Sequence, residues 1–346
     1  MNPFDFDETA LQGSVDAAAA VPTADTAIPG SAAEELSVRR LLITIVFQVV
    51  GFGLLAAIAV MIVQLAFGGS GMSALTWLIA AVMVAPLAIT QIRGFRARRR
   101  ELGETAHRLA RFAADNAMTY VPAEAAAQHP IVRFRHGGPL AVRDLMRSPQ
   151  RKGLEVGTYH YEQSMGRSIV EHSATFVSLD APVGIASMTV ASKAGDAWSH
   201  PSTRKKTQHQ LSIDDEFDAH IRVYCAPQDD DAVRQQLTPT VRAAVRELVE
   251  FCDVEVDGGR FFVLARKALP LTNPVFWHWV GDLSRLGALL SPQGGEVYRE
   301  SSSHWAVGAT ERNALFATPR SRWSFALGLG IGVLGLSAAA VITAIS

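Results

Sequence analysis

Three long apolar runs without a charged residue set the organisation of the chain. Residues 41–67 and 74–92 are joined by the short sequence GGSGMS, and a third run covers residues 324–345. A helix of about 20 apolar residues crosses the hydrocarbon core of a bilayer. The pattern therefore predicts a membrane anchor of three transmembrane helices, with a helical hairpin over residues 38–92 and a C-terminal helix.

The stretch between the hairpin and the last run alternates between helical and strand periods. It predicts an α+β domain over residues 93–290, in which helices pack on a mixed or antiparallel sheet. Helices are expected from Arg93 to about Ala114, from Pro239 to Cys252 and over 274–290. Strands are expected at 154–163, 168–179, 183–192 and 220–225, with a hairpin over 253–264.

Two polar segments flank these units. Residues 1–37 are rich in Ala, Asp, Thr, Pro and Gly, and they hold carboxylates but no Lys or Arg. This composition predicts a disordered acidic tail. Residues 291–323 return to Ser, Gly and Glu with little period, and they are expected to form a linker to the last span.

Basic residues beside the spans predict their orientation. Arg39 and Arg40 precede the first span, Arg93 to Arg100 follow the second, and Arg320 and Arg322 precede the third. Lys and Arg concentrate on the cytosolic side of spans. We expect a multi-pass protein of the plasma membrane, with the N-terminus and the main domain in the cytosol and the C-terminus outside.

Whole-chain composition argues against a nucleic-acid-binding protein and against a disulfide-rich protein. The chain of 346 residues has 32 Lys and Arg against 33 Asp and Glu, a formal net charge of −1. This balance argues against a nucleic-acid partner. Two cysteines in a domain expected in the cytosol do not predict a disulfide framework.

Two basic clusters and one glycine pair are the candidate contact residues. Each basic cluster has two interpretations. The first is contact with anionic lipid or phosphate. The second is a solvated role, which for the cluster at 93–100 means that it only fixes the topology of the spans. Gly328 and Gly332 allow close helix packing, either against another copy or against the chain's own hairpin. The basic clusters are Arg93, Arg96, Arg98, Arg99 and Arg100, and Arg204, Lys205 and Lys206.

The sequence predicts no catalytic residue, cofactor or metal. G-x-S-x-G, H-E-x-x-H, the phosphate-binding G-x-x-x-x-G-K-[ST] and C-x-x-C are absent, and the S-x-x-K match at Ser202 to Lys205 lies in a polar loop rather than on a helix. His200 and His209 lack a neighbouring Cys or carboxylate at the usual spacing for zinc. The acidic run 228–231 lacks the alternating ligands of a calcium loop and is interpreted as a solvated turn.

Two further pairs keep alternative interpretations. His160 and His172 lie on adjacent predicted strands, where they form either a cross-strand metal or acid–base pair or ordinary strand positions. Cys225 on a strand and Cys252 on the following helix form either a redox pair or two buried apolar residues.

Six short segments in order resemble a family of uncharacterised actinobacterial membrane proteins that carry a cytosolic domain of unknown function. The resemblance spans residues 105–290 and implies a hairpin anchor in a bacterial inner membrane with a cytosolic α+β domain. It implies no activity and no functional residue, and the last span is a departure from the family pattern. The segments are RFAADN (111–116), GLEVGTYHYE (153–162), LSIDDEFDAHIRVYCAP (211–227), LTP (237–239), DVEVDGG (253–259) and PVFWHW (274–279).

The sequence favours a membrane-anchored, non-enzymatic interaction or scaffold domain. Its expected partners are the lipid bilayer and either another protein or a second copy, bound through the transmembrane helices. The alternatives are a ligand- or anionic-lipid-sensing protein and a membrane-bound enzyme without a known motif.

Overall fold

The described part of the chain is an α+β structure with one large sheet. The computed structural model describes residues 5–12, 74–125, 141–165, 168–193, 208–289 and 307–317. These residues divide into two units at the boundary between Val307 and Gly308. The fold class predicted for the domain is confirmed: a sheet of nine strands, all paired antiparallel, lies against several helices.

The strands of the sheet follow the order β1-β2-β3-β4-β9-β8-β5-β7-β6. Their bounds are β1 Thr119–Ala125, β2 Ala141–Ser148, β3 Leu154–Met165, β4 Ser168–Asp180, β5 Met188–Ser192, β6 His209–Leu211, β7 Ile221–Cys225, β8 Cys252–Asp257 and β9 Arg260–Ala265. Neighbours along the chain are neighbours in the sheet from β1 to β4, whereas β5 is inserted between β7 and β8.

Seven helices accompany the sheet in the described ranges. They are α1 Thr9–Gln12, α2 Ala74–Asp115, α3 Asp215–His220, α4 Asp230–Gln236, α5 Pro239–Val249, α6 Pro274–Leu289 and α7 Ala309–Phe316. Among the residues that the structure describes, no helix combines the length and the apolar character needed to cross a bilayer. The span predicted at 74–92 lies within α2 and is therefore not supported, whereas the predicted spans 41–67 and 324–345 lie outside these residues.

Helix α2 confirms the prediction that the second apolar run continues into the domain as one helix. It runs without a break over 42 residues. Its last turns are fixed by burial, since Leu109, Phe112 and Ala113 are fully enclosed. The other end of the helix carries the run 74–92.

One face of the sheet, here termed the helical face, lies against the helices. A single row of register partners crosses it from Phe261 through Val256, Met188 and Cys225 to His209. Side chains of direct cross-strand partners lie on the same face. Gly287 of α6 lies against the Phe261 ring, which places α6 over this row.

Helix α5 covers the middle of the helical face, as its sequence predicts. Thr238 caps it by accepting a hydrogen bond from the Val241 N–H, and Pro239 occupies the first turn. A hydroxyl cap followed by proline is a favourable helix start. The helix packs on β5 and β8 through its buried stripe of Val241, Ala244, Val245, Leu248 and Val249.

The opposite face carries a second apolar core. Its buried members are Val142, Leu145, Tyr159, Ala174, Phe176, Phe262 and Leu264. Gly157 lies in this core at a point of close approach, because a Cβ there would lie 3.0 Å from both the Phe176 ring and Val142 Cγ1. Both faces of the sheet are therefore buried around β3, β4 and β9.

Several local predictions are wrong in detail. The acidic run 228–231 is not a simple turn, because Pro227–Asp229 forms a 3-10 turn and Asp230 begins α4. Cys252 begins strand β8 rather than ending the preceding helix. His209 begins strand β6 within the segment expected to be a polar loop. The strand predicted at 183–192 begins only at Met188.

Parts of the predicted tail and linker have defined structure. Residues 5–12 pack on the domain, since Asn116 accepts a hydrogen bond from the Asp7 N–H at 2.7 Å and donates to the Asp7 carbonyl at 2.8 Å. The predicted linker contains α7. At residues 5–12 and 309–316, the predictions of a disordered tail and of a linker without regular structure are therefore wrong.

Candidate functional site

The predicted basic cluster at residues 93–100 lies on α2. Arg93, Arg96 and Arg100 are exposed, and their spacing of three and four residues places them on one side of the helix. Arg98 and Arg99 belong to the same helix. The arrangement suits contact with a flat anionic surface, but it does not by itself distinguish that role from fixing the topology.

The other predicted contact residues lie outside the described residues. They are Arg204, Lys205 and Lys206 in the loop before β6, with the S-x-x-K match beside them, and Gly328 and Gly332 in the last apolar run. Their roles remain predictions.

The hypothesis of a cross-strand histidine pair is wrong, because the two imidazoles lie on opposite faces. His160 is opposite Ser173, whereas His172 is opposite Tyr161. Successive residues of a strand point to alternate faces. His160 therefore shares the helical face with Ser173, and His172 lies on the other side.

His160 belongs to a polar group on the outer part of the helical face. Its Nδ1 lies 2.9 Å from Ser173 Oγ. Burial, reinforced by the nearby Arg143 guanidinium, lowers the pKa of His160 to about 4, so the ring is neutral at pH 7. Among the described residues no carboxylate bonds this imidazole, so the pair lacks the orienting acid of a Ser–His–Asp triad.

A half-buried carboxylate, Asp144, lies on β2. Tyr120 donates its hydroxyl hydrogen to Asp144 Oδ1 at 2.7 Å. Asp144 has a φ of 51° beside a register shift in β2. Burial raises the pKa of Asp144, and the hydrogen bond from Tyr120 opposes this change. The phenol is a donor here rather than a base, since burial raises the pKa of Tyr120 far above its ordinary value.

A shallow depression forms where the N-terminal segment meets α6. It is lined by Phe6, Asp7, Glu8, Thr9, Gln12 and His278. Its one ion pair joins Glu8 Oε1 to His278 Nε2 at 2.8 Å. Burial raises the pKa of Glu8, and the charge of His278 acts in the other direction. The depression follows from the docking of residues 5–12 on α6.

Within the described ranges, one grouping of side chains that could ligate a metal comprises His209, Cys225 and Asp230, here termed the His209 cluster. His209 and Cys225 are direct partners on β6 and β7. Asp230, the first residue of α4, lies over both. Cys225 Sγ donates to Asp230 Oδ1 at 3.3 Å, and His209 Nε2 lies 3.3 Å from Asp230 Oδ2. One ligand atom from each residue falls within 4.8 Å of the others.

The thiol of this cluster is not set up as a nucleophile. Burial raises the pKa of Cys225 to about 12, and the hydrogen bond to Asp230 acts in the same direction. A reactive cysteine needs the opposite change, since the thiolate is the attacking species. In a Cys–His pair the imidazole would also contact the thiol, whereas here the carboxylate lies between them.

Spacing along the sequence did not reveal this cluster. His209 lies sixteen residues before Cys225, and the two meet only because β6 pairs with the end of β7. Asp230 was assigned to a solvated turn. The available signal was the short distance from Cys225 to the acidic run that follows it. The other thiol, Cys252, is also buried and free, and it begins a different strand, so the redox pair is not supported.

No protein-family model, curated protein or solved structure matches this chain.

Proposed function

We propose that this chain is a membrane-anchored, non-enzymatic interaction protein whose α+β domain binds another protein at the cytosolic face of a bacterial plasma membrane. The anchor rests on the apolar sequences 41–67 and 324–345. Helix α2 begins seven residues after the first of these sequences and runs unbroken into the core of the domain. This short connection would hold the domain near the bilayer.

The interaction role rests on one observation, the outer edge of β4 in its hairpin with β3. Residues 161–165 and 168–172, here termed the arm, form five residue pairs with each other. β9 pairs with β4 only from Phe176 onward, and in the described ranges no other strand pairs with residues 168–171 on the side of β4 away from β3. A partner strand added at this edge would extend the sheet.

Charge on the arm favours a basic partner. Glu162 and Glu171 are direct partners in the register. Like charges directly opposite each other destabilise a strand pair. A partner segment that carries Lys or Arg would complement this acidic sequence.

The test is photocrosslinking in intact cells from a photoreactive amino acid at position 163, on the arm. The control places the same group at position 183, because Val183 is 97% exposed in a loop away from the arm. We expect an adduct with a second protein from position 163 and none from position 183. The adduct from position 163 should disappear when Glu162→Lys and Glu171→Lys are added. Identical adducts from both positions, or none from position 163, would overturn the proposal. Adducts with the chain itself would favour a homo-oligomer instead.

The anchor has a separate test. A reporter that is active only outside the cytosol, fused after Gly153, should be inactive, and the full chain should resist extraction from membranes by alkaline carbonate. An active reporter would reverse the orientation. If carbonate releases the chain from membranes, the proposed anchor is excluded. The interaction role would then be tested by the crosslinks alone.

Anionic-lipid binding is a second candidate, favoured by the exposed row of Arg93, Arg96 and Arg100 on α2. A basic residue near an anionic surface contributes about 1 kcal/mol. Native mass spectrometry of the full chain should show more retained phosphatidylglycerol than phosphatidylcholine, and Arg96→Gln should weaken that preference about fivefold. Arg111→Gln is the matched control, since this exposed arginine of the same helix pairs with Asp115. Equal retention of the two lipids would exclude this role.

A further inference from the structure

We propose that the His209 cluster is a binding site for a divalent transition-metal ion, and that Zn²⁺ is the ion that fits it best. The proposal concerns the edge of the sheet at β6 and is independent of the interaction role of the arm. It assigns one ligand to each residue: His209 Nε2, Cys225 Sγ and a carboxylate oxygen of Asp230.

The spacing of the ligand atoms is close to that of a tetrahedral site. Bonds of about 2.0–2.3 Å to nitrogen, oxygen and sulfur place the ligand atoms roughly 3.3–3.8 Å apart. Cys225 Sγ lies 3.3 Å from Asp230 Oδ1, and His209 Nε2 lies 3.3 Å from the other oxygen, Oδ2, so either oxygen is already close to one of the other two ligands. Since all ligand atoms lie within 4.8 Å of one another, the imidazole and the sulfur need to approach by no more than about 1 Å.

The ligand types select the class of metal. A cysteine sulfur is a soft ligand that Mg²⁺ and Ca²⁺ do not favour, whereas Zn²⁺ is bound by combinations of Cys, His and carboxylate. The side chains of His209 and Asp230 are 41% and 33% exposed. Three protein ligands and solvent on one side leave a fourth position for water, which is the arrangement of an open or exchangeable site.

The charges around the cluster are mixed but do not oppose a cation. Asp229 and Asp230 both act electrostatically on Cys225, and Arg234 acts in the opposite sense. The nearby charges thus include two carboxylates and one guanidinium. The thiolate and Asp230 would together neutralise the charge of a bound divalent cation, and Asp229 and Arg234 carry opposite charges that offset each other.

The metal would have a structural effect at the sheet edge. β6 has only three residues, and it pairs with β7 alone among the described strands. A metal bond would join β6, β7 and α4 at one point. Binding to the folded state alone would therefore raise the melting temperature of the chain.

The experiment uses the purified full chain in detergent with a thiol-free reductant. The chain is stripped of metal by a chelator and titrated with Co²⁺. We expect one Co²⁺ per chain, a thiolate-to-cobalt charge-transfer band, visible bands of tetrahedral intensity, displacement by Zn²⁺ and a higher melting temperature. Absence of the charge-transfer band from a folded chain would overturn the proposal.

Variants identify the ligands. His209→Gln, at the exposed edge, is the variant least able to disturb folding, and Cys225→Ser and Asp230→Asn complete the set. Loss of a residue that supports a metal site weakens binding about 10–100-fold, and loss of a ligand should weaken it at least as much. His220→Gln and Cys252→Ser are the matched controls, and both should bind as the wild type does. A charge-transfer band that survives Cys225→Ser but disappears in Cys252→Ser would also overturn the assignment.

Discussion

The rings of Phe112 and Trp277 lie 4.4 Å apart between centroids, and both side chains are fully buried. Phe112 belongs to the last turns of α2, and Trp277 to the first turn of α6. The Trp277 indole N–H donates to the Leu271 carbonyl at 2.8 Å, which fixes the orientation of the ring. This contact joins the helix that carries the second apolar run to the core of the domain.

Loss of this contact should destabilise the domain. Phe112→Ala is expected to lower the free energy of unfolding by about 3–5 kcal/mol, because it leaves a cavity against Trp277. Leu102→Ala is the control on the same helix, since Leu102 is 61% exposed, and it should cost less than about 0.5 kcal/mol. Thermal unfolding of the full chain, followed by near-ultraviolet circular dichroism, compares the two. Equal melting temperatures would show that the contact does not hold α2.

The N-terminal segment should depend on one amide side chain. Asn116 exchanges two hydrogen bonds with the backbone of Asp7, and its amide is buried. Asn116→Ala should cost about 1–3 kcal/mol locally and speed hydrogen exchange in residues 5–12 by roughly 10–100-fold. Asp7→Ala keeps those backbone contacts and removes the bonds that its carboxylate accepts from the Thr9 N–H and the Thr9 side chain, all within the N-terminal segment, so it should have the smaller effect. A larger effect of Asp7→Ala would contradict this account.

Features fixed by neighbouring residues were predictable from the sequence. The start of α5 follows from Thr238 and Pro239, and the β8–β9 hairpin follows from Gly258 and Gly259, which both have positive φ. Helix α4 was missed for a physical reason. Its buried Gln236 bonds through its side-chain amide to the backbone of Ala186 and Gly184, which lie far away in the sequence.

Features fixed by strand register were not predictable. A shift of one residue in a hairpin moves every side chain of one strand to the other face, and only the pairing of Met165 with Ser168 shows which residues of β3 and β4 share a face. The His160–His172 hypothesis failed for this reason. The His209 cluster has the same origin, because only the pairing of β6 with β7 brings its imidazole to Cys225.

Acidification should destabilise the chain through His160. Its pKa falls from an ordinary value of 6.5 to about 4 in the folded state. The unfolded chain therefore binds a proton that the folded chain excludes, so stability is full above pH 6.5 and falls as the pH drops toward 4. With solvent screening at this incompletely buried site, the loss is about 1–2 kcal/mol.

The measurement is the melting temperature of the full chain between pH 6.5 and 4. His160→Gln should flatten this part of the profile, because glutamine takes up no proton. His220→Gln removes an imidazole that is exposed at the end of α3, and it should keep the wild-type slope. An unchanged slope in His160→Gln would place the acid sensitivity elsewhere.

Two glycines should respond to alanine with opposite signs. A Cβ at Gly157 would lie 3.0 Å from both Val142 Cγ1 and the Phe176 ring. This is overpacking of a closed core, and Gly157→Ala should cost about 1–3 kcal/mol. Gly94 is exposed on α2 with nothing within 4 Å of an added Cβ. Gly94→Ala should therefore stabilise the helix by about 0.5–1 kcal/mol.

A second change tests the cause of the Gly157 effect. Val142→Ala removes Cγ1, one of the two atoms that the new methyl group meets. If crowding is the cause, Gly157→Ala should cost less in a Val142→Ala background than in the wild type, with a coupling energy of about 0.5–3 kcal/mol. Denaturant unfolding of the four chains measures that coupling. Strict additivity would show that Gly157 is needed for its backbone rather than for the space between Val142 and Phe176.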